Sequence, residues 1–303
     1  MPIEGGVLDL DELSRACAVL EPLPVSVTRL AVLVADEAPD VAGIVDIVRY
    51  DLALTAVLLR RANSSWSASR TEITTLPEAV VRLGAGPVLA LALGVNVRAR
   101  FAPAIPEYGL PEDELWNHSV AAMLAAEGVM AAAPTALPAE TPTAALLHDV
   151  GKLVMARFVE PEALHEIGVS MASGATRAQA EVEVLGVDHA ELGGAVAHAW
   201  ELPGSLVAAI VGHHAPGTAP GGAAGPALVA HGVLLADAVA RAVRSEDPGR
   251  AGPEPHTAAD PLGAVDSGAV DSSLAALGLP EGALAAVSRS VAARFAEVVT
   301  RFG

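Results

Sequence analysis

The chain has 303 residues, 52% hydrophobic but only 3% aromatic, and a formal net charge of −18. That length suffices for one or two buried cores packed with Ala, Leu and Val, while the charge opposes nucleic-acid backbones and anionic lipid unless a dense basic cluster offsets it; Arg60-Arg61 is the nearest approach to one. No nucleic-acid partner is expected, and no membrane span either, because apolar runs such as Gly86 to Val97 fall short of the roughly 18 residues that cross a bilayer.

The composition favours helix. Val41, Ile44, Val45 and Val48 repeat at helical spacing behind Asp40, a residue suited to the N-cap. A second helix follows at Leu54, Val57 and Leu58. A third opens on Thr75-x-x-Glu78, the pattern of a capping box, carries Leu76, Val80 and Leu83, and stops at Gly84. Residues 1–104 thus read as an N-terminal helical bundle. Pro103, Pro106 and Pro111 then interrupt the pattern, and Pro111 with the acidic Glu112, Asp113 and Glu114 makes a good first turn for a helix running to Met130.

A second helical bundle is expected over residues 105–244. Thr141-Pro142 starts a helix through His148, Ala178 to Leu185 forms another that ends at Gly186, and Asp188 caps a third beginning at His189. Ser205 reads as the cap of a fourth ending near His214. Gly217 to Pro226 reads as a flexible insert, Ala227 to Val243 as helix, and 245–272, rich in Pro, Gly, Asp and Ala, as a flexible linker. Leu284, Val287, Val291, Phe295, Val298 and Phe302 return to helical spacing, so the last segment, 273–303, is expected to be an amphipathic helix that docks on the bundle or pairs with a second copy. The fold class is therefore all-α, with no strand-period run.

Lone Cys17 cannot form an internal disulfide, and the start Met1-Pro2-Ile3-Glu4 lacks the basic and apolar stretches of a secretion signal; a cytoplasmic location is expected.

Adjacent His148 and Asp149 stand near the end of an apolar helix, about 100° apart around its axis, where both can lean toward one metal ion. Imidazole nitrogen and carboxylate oxygen together suit Zn, Mn or Fe, and such an ion activates water for phosphoester hydrolysis. Further ligands are available from His118, His189, His213, His214 and Asp237, provided that their helices converge. Lys152, the chain's single lysine, follows one turn later with a charge suited to phosphate. The competing reading is a metal-free polar network that locks helices together, with His213-His214 as helix C-terminal caps. His165, His198, His231 and His256 read as ordinary surface or core histidines. Asn63 reads as a cap, Arg60 and Arg61 as a solvated face, and Trp66, Trp116 and Trp200 as packing residues.

The string Leu147-His148-Asp149-Val150-Gly151-Lys152, with His118 upstream and Asp237 downstream, resembles the signature of the HD phosphohydrolase superfamily. Within it the chain most resembles the HD-related output domain family, HDOD. Asp51-Leu-Ala-Leu-Thr55 with Leu58 to Ser64, Ile73 to Gly84, Leu185 to Gly193, Trp200-Glu-Leu-Pro203 and His213-His214-Ala215-Pro216 carry that likeness, over roughly residues 20 to 245. The resemblance implies a bacterial signalling module that acts through protein contacts. The ordered set His118, His148-Asp149, Lys152, His189, His213-His214 and Asp237 is also similar to that of the HD-GYP phosphodiesterases, which implies a metal centre of one or two divalent ions, Asp149 and Lys152 in catalysis, and a nucleotide or other phosphoester as substrate. Ala215-Pro216-Gly217 stands after the histidine pair, and no Gly-Tyr-Pro motif follows it.

Overall fold

The computed structural model describes residues 20–36, 39–64, 72–157, 159–218, 225–245, 265–280 and 282–302. Among these residues the fold is all-α, its one extended feature being an isolated bridge between Ile105 and Leu110. Trp66, His256, the middle of the expected insert and most of the expected linker lie outside the described residues.

The N-terminal bundle consists of α1 (Val25–Val34), α2 (Val41–Val48), α3 (Leu52–Ala62), α4 (Leu76–Leu83) and α5 (Ala85–Phe101). Asp40 caps α2 by accepting from the amides of Ala42 and Gly43, and Asp51 caps α3 through Leu54 N. Thr75 precedes α4 as expected, but the capping box does not form: its hydroxyl donates to the Glu78 carboxylate at 2.8 Å instead of accepting from a backbone amide. Asn63 does more than end α3. Its amide donates to Ile73 O at 2.7 Å and accepts from Ile73 N at 2.8 Å, pinning α3 to the segment that leads into α4.

The second bundle is built on α6 (Glu114–Ala132), which packs along α7 (Thr141–Leu147), α13 (Pro226–Ser245) and α15 (Ala283–Phe302). Its Val120 to Ala126 are buried without exception, because alanine at most of these positions lets neighbouring helices approach closely. α6 starts at Glu114 and not at Pro111, since Asp113 adopts a left-handed conformation with φ 62° that no helical turn accepts. After α7 come α8 (Gly151–Met155), α9 (Pro161–Ala172), α10 (Arg177–Leu185), α11 (His189–Ala199) and α12 (Gly204–Val211). Capping boxes form at Thr176/Gln179 and Asp188/Glu191. The N-cap of α12 is Pro203, so Ser205 lies inside the helix, and the chain leaves α12 in a turn that carries the histidine pair.

Two expectations about the last third change. α13 is a 20-residue helix long and apolar enough to cross a membrane by composition, but 67% of its apolar window is buried within this fold, and it carries a buried Asp237. The expected linker ends earlier than 272: Asp266 accepts from Gly268 and Ala269 amides to start α14 (Ser267–Leu277), whose Ser273 and Leu277 pack against the bundle. α15 docks on α6 and α13, with Val287, Val291 and Val298 buried and Arg294 donating to Glu127 of α6 at 2.6 Å. Arg61 donates to the same carboxylate oxygen at 3.2 Å, so it is a partly buried pairing residue and not part of a solvated face.

Candidate metal centre

Five structural segments bring the expected residues together: α6 supplies His118, the turn after α7 His148 and Asp149, α11 His189, the turn after α12 His213 and His214, and α13 Asp237. All are buried except His214, which is partly open. The α7 to α8 turn is tight because Val150 N bonds Leu147 O and Lys152 N bonds Asp149 O, so the Asp149 side chain enters the bundle between two short helices. Gly151 allows α8 to lie against α11, where a Cβ would overlap the His189 carbonyl oxygen and stand 2.5 Å from Gly193 N.

Four ligand atoms form the first cluster. His118 Nε2 lies 3.3 Å from His148 Nε2, 3.0 Å from Asp237 Oδ1 and 3.6 Å from Asp149 Oδ2, while His148 Nε2 is 3.4 Å from Asp149 Oδ2 and 3.6 Å from Asp237 Oδ1. Ligands about 2.1 Å from a tetrahedral ion stand roughly 3.4 Å from one another, so these spacings suit one small cation. His189, His213 and His214 form a second group. His189 Nε2 is 2.9 Å from His214 Nε2 and 3.3 Å from Asp149 Oδ1. The two oxygens of Asp149 thus face different clusters, the disposition of a bridging carboxylate.

Groups outside the clusters fix the ligand orientations. His148 Nδ1 is anchored 2.8 Å from Ala145 O and His213 Nδ1 2.7 Å from Ile210 O, which directs both Nε2 atoms inward. Arg241 donates to Asp237 Oδ2 through Nε at 3.0 Å and Nη2 at 2.9 Å, leaving Oδ1 for the first cluster. Glu181 accepts from His189 Nδ1 at 2.6 Å and from its backbone amide at 2.9 Å; it also takes the Tyr108 hydroxyl at 2.9 Å and Arg177 Nε at 3.3 Å. Neither Glu181 nor Arg241 was singled out in the sequence. Arg241 had one available signal, its position one helical turn after Asp237; Glu181, eight residues before His189 on another helix, had none.

The electrostatics suit a cation. Burial raises the Asp149 pKa, but the charges of His148 and Lys152 and the contact with His189 hold it well below the usual carboxylate range. Asp237 is held well below that range too, Arg241 overcoming burial. Burial and the neighbouring imidazoles push His213 down to about 3 and His214 well below its ordinary value, leaving both neutral as metal ligation requires. His189 differs: burial lowers its pKa, but Glu181 and Asp149 outweigh that and raise it to about 9. The buried His213 Nε2 has no hydrogen-bond partner, and Asp149 Oδ1 and Asp237 Oδ1 face only imidazole nitrogens of the clusters among the described residues. Unpaired buried acceptors are costly, and a cation would satisfy all three. The donor set and geometry therefore fit divalent transition metal.

Lys152 is fully buried. Its ammonium donates to Asp149 Oδ2 at 2.7 Å and lies 5.8 Å from the centroid of the Tyr108 ring, so it steadies the carboxylate instead of standing open to a phosphate. His165 and His198 lie outside both clusters, and His231 bonds Ser273 at 2.9 Å. Trp116 and Trp200 are buried packing residues, with Arg98 and Arg100 against their rings.

An all-helical fold that gathers a His-Asp dyad and distant histidines at one buried point defines a protein of the HD type. The chain belongs to the HDOD domain family, whose family model matches residues 20–216. A curated protein of Treponema pallidum, described as uncharacterised, is 29% identical over 192 residues, 59% of this chain and 35% of that one. The chain therefore spans about a third of that relative's length. Among solved structures, an HDOD domain protein of unknown function from Geobacter sulfurreducens aligns at TM-score 0.66 and 22% identity, covering 97% of this chain and 99% of its own. A Shewanella amazonensis protein, provisionally named a phosphohydrolase, aligns at 0.63 and 22%, covering 96% and 98%. A Marinobacter aquaeolei protein, provisionally named for signal transduction, aligns at 0.60 and 22%, covering 97% and 60%. At these identities the likeness is one of fold.

If metal occupies the second cluster, His189 must give up the proton on Nε2. Metal affinity is expected to fall as pH drops below about 9, the proton and metal competing for that atom. In Glu181→Gln the dependence should move toward the ordinary imidazole range near 6.5, and affinity at the alkaline end should fall about 10–100-fold with loss of the orienting carboxylate. Metal titrations over a pH series would check both effects, and an unchanged profile would remove Glu181 from the account.

Proposed function

We propose that the chain is a metal-dependent phosphohydrolase of the HD type. The observation that carries this reading is the bridging position of Asp149, one oxygen toward His118 and His148 and the other toward His189. His118, His148, Asp149 and Asp237 would hold one ion, and Asp149, His189, His213 and His214 a second, with Zn, Mn or Fe suited to the donors. Divalent metal there supplies Lewis-acid activation of water and of a phosphoryl oxygen. Glu181 and Arg241 hold His189 and Asp237 in place, Lys152 keeps Asp149 ionised, and the partly open His214 marks the side from which a phosphoester, nucleotides included, would approach. A role confined to packing gives no reason for five imidazole Nε2 atoms and two carboxylates to converge.

A second role, as a bacterial, cytoplasmic signalling module that binds a protein partner, is favoured by exposed apolar side chains on and between the N-terminal helices, among them Val25, Val32, Tyr50, Leu52 and Val81. Both roles fit one chain. Elemental analysis of protein purified without added metal, followed by turnover assays on phosphodiesters including cyclic dinucleotides, tests the first. About two transition-metal ions per chain and metal-dependent phosphate-ester cleavage are expected. Trace metal together with no turnover in Mn- or Zn-supplemented buffer would leave the signalling role alone.

A further inference from the structure

The two helical bundles are joined by a short closed connector. α5 ends at Phe101, Asp113 N donates to Ala102 O at 2.6 Å, and between them Ile105 and Leu110 exchange backbone hydrogen bonds of 2.8 and 3.1 Å. One turn of 3-10 helix, Pro106–Tyr108, forms the tip, and Gly109 reverses the chain in the left-handed conformation with φ 64°. Tyr108 runs inward from this tip until it is only 1% exposed, and its hydroxyl donates to Glu181 Oε1 at 2.9 Å.

Glu181 is the carboxylate that holds His189, and its two oxygens have separate duties. Oε2 accepts from His189 N at 2.9 Å and lies 2.6 Å from His189 Nδ1. Oε1 takes the Tyr108 hydroxyl and, at 3.3 Å, Arg177 Nε; Arg177 in turn donates through Nη2 to Glu107 O at 3.3 Å. One donor to Oε1 thus belongs to the connector and the other is bonded to it. The Tyr108 ring also lies 4.0 Å from Arg177 Cζ and 5.8 Å from Lys152 Nζ, the partner of Asp149. Packing accounts for that ring, but phenylalanine would supply the same ring without the cost of burying a hydroxyl. The partner that the hydroxyl finds is the carboxylate behind a candidate metal ligand.

We propose that Tyr108 is a positioning residue for the second half of the metal centre, acting through Glu181 to hold His189 Nε2 toward His213 and His214. This rests on the metal-centre reading and adds that the connector between the bundles, not α10 and α11 alone, sets that half. Cobalt(II) titration of the metal-free full chain, followed by visible absorption, tests it without any turnover. The wild-type chain is expected to take up about two ions in separable steps. Tyr108→Phe keeps the ring; it should weaken one step about tenfold, alter the spectrum of that step and leave the other in place, because outer groups that orient a ligand contribute about 10–100-fold to metal affinity. Since Tyr108 acts through Glu181, the double variant Tyr108→Phe/Glu181→Gln should bind no more weakly than Glu181→Gln alone. A hydroxyl that served packing only would lower the melting temperature of the metal-free protein and leave both steps alone. Both steps unchanged in Tyr108→Phe, or losses that multiply in the double variant, would overturn the proposal. A wild-type chain that takes up fewer than about two ions would remove the two-cluster centre itself, and this proposal with it.

Discussion

Asp149→Ala is expected to empty both halves of the His/Asp centre and to cost about 3–5 kcal/mol of folding stability. The two effects have different origins. Metal is lost because this carboxylate contributes to both clusters, and the remaining imidazoles of the first lose an anionic partner at 3.4 and 3.6 Å. Stability is lost because the Lys152 side chain, fully buried, loses its acceptor at 2.7 Å and must either stay charged without a partner or give up its proton. Burial already lowers the Lys152 pKa, with Asp149 opposing that trend, so removing Asp149 should drive the lysine toward its neutral form. A paired variant, Asp149→Leu with Lys152→Met, separates the contributions: it should recover most of the stability, since an apolar pair of similar volume replaces a buried ion pair at little cost, and still hold no metal. Urea unfolding and elemental analysis on the same preparations would decide it. Full metal content in Asp149→Ala would show that the ions sit elsewhere.

Gly151→Ala is also expected to be damaging, though it removes no chemical group. The added methyl meets the His189 carbonyl and the Gly193 amide, both backbone atoms of α11 that cannot rotate aside. Either α8 or α11 must shift, and overpacking of this kind costs about 1–3 kcal/mol, more where the obstacle is main chain. Because α8 follows Asp149 and α11 begins with His189, the shift should also separate Asp149 Oδ1 from His189 Nε2, now 3.3 Å apart. Loss of metal from the second cluster before the first, together with a lowered unfolding midpoint, is the expected signature. A variant with wild-type stability and metal content would show that the two helices do not press together as described.

The helices that sequence made legible were those with clear punctuation. Asp40, Asp51 and Asp188 cap the helices they precede, and Gly186 ends α10 in the left-handed conformation expected after a helix. α1 went unread because valines fill Val-Ser-Val-Thr-Arg-Leu-Ala-Val-Leu-Val, a composition with weak helix propensity; burial of Val27, Leu30, Ala31 and Val34 on one face overrides it. α9 went unread because only Ile167 among its residues is fully buried, which leaves little apolar period to detect. At the centre, the order of His118, His148-Asp149, His189, His213-His214 and Asp237 pointed to residues that do meet. What order along a chain cannot express is rotation about a helix axis, and so the division into two clusters, the inward turn of Lys152 and the supporting contacts of Glu181 and Arg241 came only with coordinates.

Asp237 lies on α13, beyond the stretch 20–216 that the family model matches, and it stands 3.0 Å from His118. The smallest fragment able to house the complete ligand set must therefore reach past that boundary, through Arg241 and the end of α13. Cutting the gene at the family limit would leave a protein with six of the seven candidate ligands and an open side where the missing helix had lain, and a negative metal assay on such a fragment would say nothing about the intact chain.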